Sequence, residues 1–91
     1  MKTEQELIKQ LEAEGYTDVR VCPMPPTEVT PPHTHVVHTV HIILDGELTV
    51  TENGETKTCK AGDRVEFPAG TTHTARSSID DGRMVIGVKA S

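Results

Sequence analysis

Most of the chain consists of short β-type segments separated by turn residues, and this rhythm is the feature that most limits its fold. Alternating or β-branched runs occupy residues 17–22, 36–44, 47–52, 55–60, 64–67, 73–77 and 83–89. Asp45-Gly46, Asn53-Gly54 and Asp81-Gly82 lie between runs, and an Asn-Gly pair is the strongest short-range signal for a β-hairpin. About seven short strands at this spacing predict an all-β sandwich or barrel.

One short helix is predicted ahead of the strands. Thr3 is suited to cap its N-terminus, and Glu6 three residues later completes a capping box. Apolar residues then recur at helical spacing, and Gly15 suits the end of the helix. We expect residues 1–15 to form a helix that packs on a single barrel domain spanning residues 16–91.

The composition predicts a thin core. Only 34% of the 91 residues are hydrophobic, and Tyr16 and Phe67 are the two aromatic residues other than histidine. The core must therefore be built mainly from aliphatic side chains. A domain this small often gains stability by association, so we expect a homodimer.

Charge and hydropathy limit the partners. The formal net charge is −5 and the basic residues are scattered, which argues against a nucleic acid or an anionic membrane as partner. No apolar run approaches the roughly 18 residues of a membrane span, and the first ten residues lack the apolar core of a signal peptide. A cytoplasmic location is therefore expected. Cys22 and Cys59 form no CxxC pair, and we expect two reduced thiols.

Four of the five histidines fall within nine positions, at His33, His35, His38 and His41. On a strand, residues i and i+2 share a face at about 6.6 Å, so His33 and His35 can converge on one metal ion. If one regular strand continues from there, His41 shares their face and His38 lies on the other. His41 then has three possible roles: a pocket-lining hydrogen-bonding residue, a proton-transfer group, or an additional ligand.

Two histidines make a weak metal site, so a third ligand is expected elsewhere. His73 is the remaining histidine, and it follows a turn predicted at Pro68 and Gly70. A turn at this point can bring its imidazole in from a different strand.

These segments resemble the two motifs of the cupin family. The sequence "GDRVEFPAGTTH" (62–73) matches the second motif, G-x5-P-x-G-x2-H, at Gly62, Pro68, Gly70 and His73. The sequence "HTHVVHTVHIILDG" (33–46) resembles the first motif, H-x-H-x3-4-E-x6-G, at His33, His35 and Gly46. The resemblance implies a cupin-like double-stranded β-helix, or jelly-roll barrel. It also implies metal ligation by His33, His35 and His73.

Two positions depart from the family pattern. Thr39 stands where the family has a glutamate or glutamine, and its neutral hydroxyl is a poor ligand. Ser77 stands where the second motif often ends in asparagine. Without the carboxylate, three neutral imidazoles leave a divalent ion with its full charge and open positions, unless His41 restores a fourth ligand. Zn, Ni, Fe, Mn and Cu all remain compatible with this site.

The resemblance leaves three functions open. The first is a metal-dependent enzyme that transforms a small organic molecule, such as an isomerase, lyase, decarboxylase or dioxygenase, with His41 as the candidate for proton transfer. The second is a non-catalytic cupin module that binds a ligand or metal in a regulatory role. The third is a barrel that has lost its metal and keeps the histidines as remnants.

Overall fold

The described part of the chain folds into one helix followed by strands. The computed structural model describes residues 3–25, 33–34, 36–78 and 82–89, and of His33 it describes the backbone. Its elements are the helix α1 (Glu4–Ala13) and the strands β1 (Thr17–Pro23), β2 (His33–Thr34), β3 (His38–Asp45), β4 (Leu48–Glu52), β5 (Glu55–Cys59), β6 (Arg64–Phe67), β7 (Thr72–Ser77) and β8 (Arg83–Lys89). The predicted all-β class with one N-terminal helix is therefore confirmed.

The strands form two four-stranded antiparallel sheets. The first sheet has the order β1-β8-β3-β6, and the second has the order β2-β7-β4-β5. Both sheets contribute to one buried cluster, which therefore fills the space between them as in a jelly-roll barrel. Its members are Met24, Ile43, Leu48, Val50, Cys59, Val65, Phe67 and Met84. Cys22 and Cys59 are both free thiols, as expected.

Helix α1 covers the outer face of the first sheet. Thr3 caps it, and Thr3 and Glu6 form the predicted capping box. Leu7 and Leu11 are buried in a second cluster with outward-facing residues of the sheet. Within the described residues, no helix is both long and apolar enough to cross a membrane.

The β4–β5 hairpin forms where the sequence predicts it. Asn53 and Gly54 occupy the turn with φ angles of 54° and 79°. Positive φ at both central positions is the requirement of a type I′ turn, whose twist matches that of the flanking strands. The turn fixes a register in which Glu52 pairs with Glu55.

The continuous strand expected over residues 36–44 is wrong at its beginning. Residues 36 and 37 form bends, and β3 begins at His38. Short strand β2 belongs to the second sheet, whereas β3 belongs to the first. The chain must therefore cross between sheets here, although the β-branched residues favour a strand. Consequently His33 and His41 do not share a face of one strand, but His38 and His41 do lie on opposite faces of β3.

A polar network joins the helix region to the outer face of the first sheet. The Tyr16 hydroxyl donates a hydrogen bond of 2.6 Å to the Glu66 carboxylate, and the His38 Nε2 lies 2.8 Å from the same oxygen. Arg64 donates two hydrogen bonds, of 3.0 and 2.7 Å, to Glu14. His38 therefore has a structural setting outside the barrel.

This network makes the stability of the fold depend on pH in the acid range. The hydrogen bond from Tyr16, followed by the His38 contact, lowers the pKa of Glu66 from 4.5 to about 2. A carboxyl whose pKa falls on folding stabilises the fold above its unfolded value and loses that contribution as pH falls toward the folded value. We expect urea unfolding at several pH values to show a steeper loss from pH 5 to 2 in the wild type than in Glu66→Gln. Glu55→Gln, in the exposed hairpin, is the control, and equal slopes for wild type and Glu66→Gln would contradict the assignment.

Candidate functional site

The two motif segments meet in the second sheet. His33 of β2 and His73 of β7 are directly paired in the antiparallel register, and Thr34 pairs with Thr72. The fold therefore brings the backbone of the first motif's first histidine beside the second motif's histidine. His35 lies outside the described residues.

His73 is held inside the barrel by an aromatic stack. It is 3% exposed, and its ring lies parallel to that of Phe67 at a centroid distance of 3.8 Å and an angle of 7°. Phe67 itself is 1% exposed in the central core cluster. A metal ion binds imidazole in the ring plane, so a partner on the ring face fixes the ring without covering its nitrogens. The packing of His73 thus suits a ligand.

His41 lies against the same phenylalanine. The His41 and Phe67 rings meet edge-to-face, with centroids 5.3 Å apart and planes at 74°. Both ring nitrogens of His41 are buried. Phe67 therefore contacts both barrel histidines whose side chains are described. The sequence patterns did not predict these contacts.

Thr39 lies in the same layer of the barrel. It is 5% exposed and is paired with Phe67 in the register between β3 and β6. Its buried hydroxyl forms no hydrogen bond with any described part of the chain. A buried hydroxyl needs a hydrogen-bond partner, so Thr39 is suited to bond a water or another small molecule inside the barrel.

Glu52 is a neighbour of His73 that the sequence patterns did not identify. It pairs with His73 in the register between β4 and β7. It also continues the alternation of Leu48 and Val50, both of which are buried in the core cluster. The alternation along β4 predicts that Glu52 faces inward. The pairing of β4 with β7 is needed to show that this position, at the end of β4, adjoins His73.

A cleft of about 270 Å³ opens beside Glu52 at the β4–β5 hairpin. It is lined by Val50, Glu52, Asn53, Glu55, Thr56 and Lys57. Val50 belongs to the core between the sheets, so the cleft adjoins the barrel interior. Its mixed charges and modest size suit a small polar molecule.

The described side chains do not by themselves form a metal centre. In the part of the chain that the structure describes, no three His, Cys, Asp or Glu side chains are grouped so that they could hold an ion. Of the three expected ligands, His73 is the one whose side chain is described. The ligand set therefore stays a prediction.

The fold and the motif positions define a cupin, and comparison with known proteins agrees. The chain matches the family model for the cupin domain over residues 20–86. It therefore belongs to the cupin family, as the sequence motifs predict. No curated protein matches the chain.

Solved structures show the same fold. A Rhizobium leguminosarum protein of unknown function is 29% identical, with a TM-score of 0.71 over 80% of this chain and 69% of its own. A predicted oxalate decarboxylase from Thermotoga maritima is 21% identical, with a TM-score of 0.69 over 91% and 74%. The DMSP lyase DddQ from Ruegeria pomeroyi is 24% identical, with a TM-score of 0.67 over 80% and 38%. The chain spans less than two thirds of several matching structures.

Proposed function

We propose that this cupin binds one divalent transition-metal ion through His33, His35 and His73, and binds or transforms a small organic molecule beside it. The observation that carries the proposal is the buried His73 ring, fixed on Phe67 inside the barrel and paired through its strand with His33. The buried Thr39 hydroxyl gives further support, because no described residue supplies it with a hydrogen bond.

The residues fit a metal ion by their chemistry. Neutral imidazole is a good ligand for Zn, Ni, Fe and Cu, and a metal ion held in this way acts as a Lewis acid that polarises a bound oxygen. Thr39 supplies no charge at the position where the family has a carboxylate. The chain's own contribution would be to hold the imidazoles in place and to exclude bulk water with Phe67.

The roles of the other residues follow from where they lie. His41 would line the pocket and is the candidate for proton transfer, because histidine titrates near neutral pH.

The decarboxylase and the lyase among the structural neighbours suggest those reaction types for the first substrate trials. We also propose that the protein is a cytoplasmic homodimer. Gel filtration tests the dimer through its apparent mass.

Metal content tests the proposal. We expect elemental analysis of untagged protein to find about one divalent ion per chain after it is offered Zn, Ni, Fe, Mn and Cu in turn. A second sample treated with a chelator and then dialysed provides the baseline. Protein that retains none of the five ions would overturn the proposed function.

A further inference from the structure

Glu52 lies in a row of residues that crosses the second sheet. The register pairs it with His73 on one side and with Glu55 on the other. The Thr51 and Thr56 hydroxyls bond each other at 2.9 Å on the opposite face of the hairpin. Strand alternation therefore gives Glu52 the inner face, beside the barrel interior.

The pairing of Glu52 with Glu55 is unfavourable on its own. Like charges directly opposite each other on antiparallel strands destabilise a sheet. No described side chain forms an ion pair with Glu52, although Lys57 lines the same cleft. A pair of like charges that opposes folding, at the edge of the barrel interior, is typical of a functional position.

Position 39 supplies a second, independent observation. Thr39 has no charge where the family has a carboxylate, and its buried hydroxyl forms no hydrogen bond within the described residues. It lies opposite Phe67, which stacks on His73. The layer that holds His73 therefore contains a buried polar group suited to a ligand, and position 39 contributes no negative charge to it.

We infer that Glu52 provides the negative charge that position 39 lacks, and that it strengthens the binding of a divalent cation beside His73. This inference rests on the proposed metal site. Residues paired across antiparallel strands have Cα atoms about 5 Å apart. A carboxylate on the same face of the sheet as His73 attracts a divalent ion held by that imidazole without being a ligand itself.

Zinc affinity tests the inference directly. We expect Glu52→Gln, which keeps the shape and removes the charge, to bind Zn²⁺ about tenfold more weakly in competition with a chromophoric chelator. Glu55→Gln is the matched control, because it removes the same charge one strand farther from His73. Its exposed carboxylate is screened by salt, so its affinity should stay within about twofold of the wild type.

Thermal unfolding with and without metal distinguishes a role of Glu52 in cation binding from a purely structural role. Without metal, Glu52→Gln should melt at or above the wild-type temperature, because the repulsion from Glu55 is gone. With excess Zn²⁺, its melting temperature should rise less than that of the wild type. A lower melting temperature without metal and an equal rise with metal would assign Glu52 to the fold instead.

The outcomes separate the two claims. Zinc affinity of Glu52→Gln within twofold of the wild type overturns the inference and leaves the proposed metal site standing. An equal loss in Glu55→Gln also overturns it, because the effect would then be one of general charge. If the wild-type protein binds neither Zn²⁺ nor any other offered ion, the proposed function itself is overturned.

Discussion

Replacing Phe67 by alanine is expected to lower the free energy of unfolding by about 3 to 5 kcal/mol. Phe67 is 1% exposed and belongs to the cluster between the two sheets, so its removal leaves a cavity in the thin core. A chain of this size has a total stability of about 5 to 14 kcal/mol. Urea unfolding at neutral pH measures the change, and the variant should be close to the limit of folding.

Two control variants distinguish the effect of a buried cavity from the effect of losing apolar surface in general. Val36→Ala removes an apolar side chain that is 89% exposed, and its effect should stay within about 0.5 kcal/mol. Phe67→Leu keeps an apolar side chain of similar volume, and it should cost only about 1.5 kcal/mol. A loss below 1 kcal/mol in Phe67→Ala would contradict the packing described for this core.

Replacing His73 by alanine is expected to weaken metal binding by at least about 100-fold, more than the loss from removing an outer-shell partner. His73 is the expected ligand that the structure describes in full, buried inside the barrel and fixed by its stack on Phe67. Two histidines without it hold a divalent ion poorly. Competition between the protein and a chelator of known affinity measures the change for Zn²⁺, with unfolding of the metal-free variant as the check on its fold.

His41 and His38 supply the matched controls for this variant. His41→Ala removes an imidazole on another strand that contacts Phe67, and its metal affinity should stay within about threefold if His41 lines the pocket. A tenfold or larger loss would make His41 a ligand. His38→Ala lies outside the barrel beside Glu66, so its metal affinity should not change. Equal losses in all three variants would contradict a site centred on His73.

The features predicted well from the sequence are those with local causes. The capping box of Thr3 and Glu6 requires only residues three apart, and the Asn53-Gly54 turn requires only two residues with positive φ. The motif around Gly70 and His73 likewise combines a turn with the start of a strand. Such signals identify the helix, the hairpin and the family before any pairing is known.

The features that were missed depend on pairing between distant segments. The break at residues 36 and 37 arises because the chain passes from one sheet to the other, while its β-branched side chains favour a continuous strand. The contacts of Phe67 with two histidines and the place of Glu52 beside His73 follow from register, which no short stretch of sequence contains. Register is fixed by the packing of both sheets together.

The central claim is that His33, His35 and His73 hold one metal ion inside the barrel. A crystal structure of the zinc-loaded protein, with anomalous data collected at the zinc edge, tests it most directly. We expect one strong anomalous peak per chain, within about 2.1 Å of a nitrogen from each of the three imidazoles. A single peak at His38 and Glu66 on the outer face, or no peak within the barrel, would contradict the account.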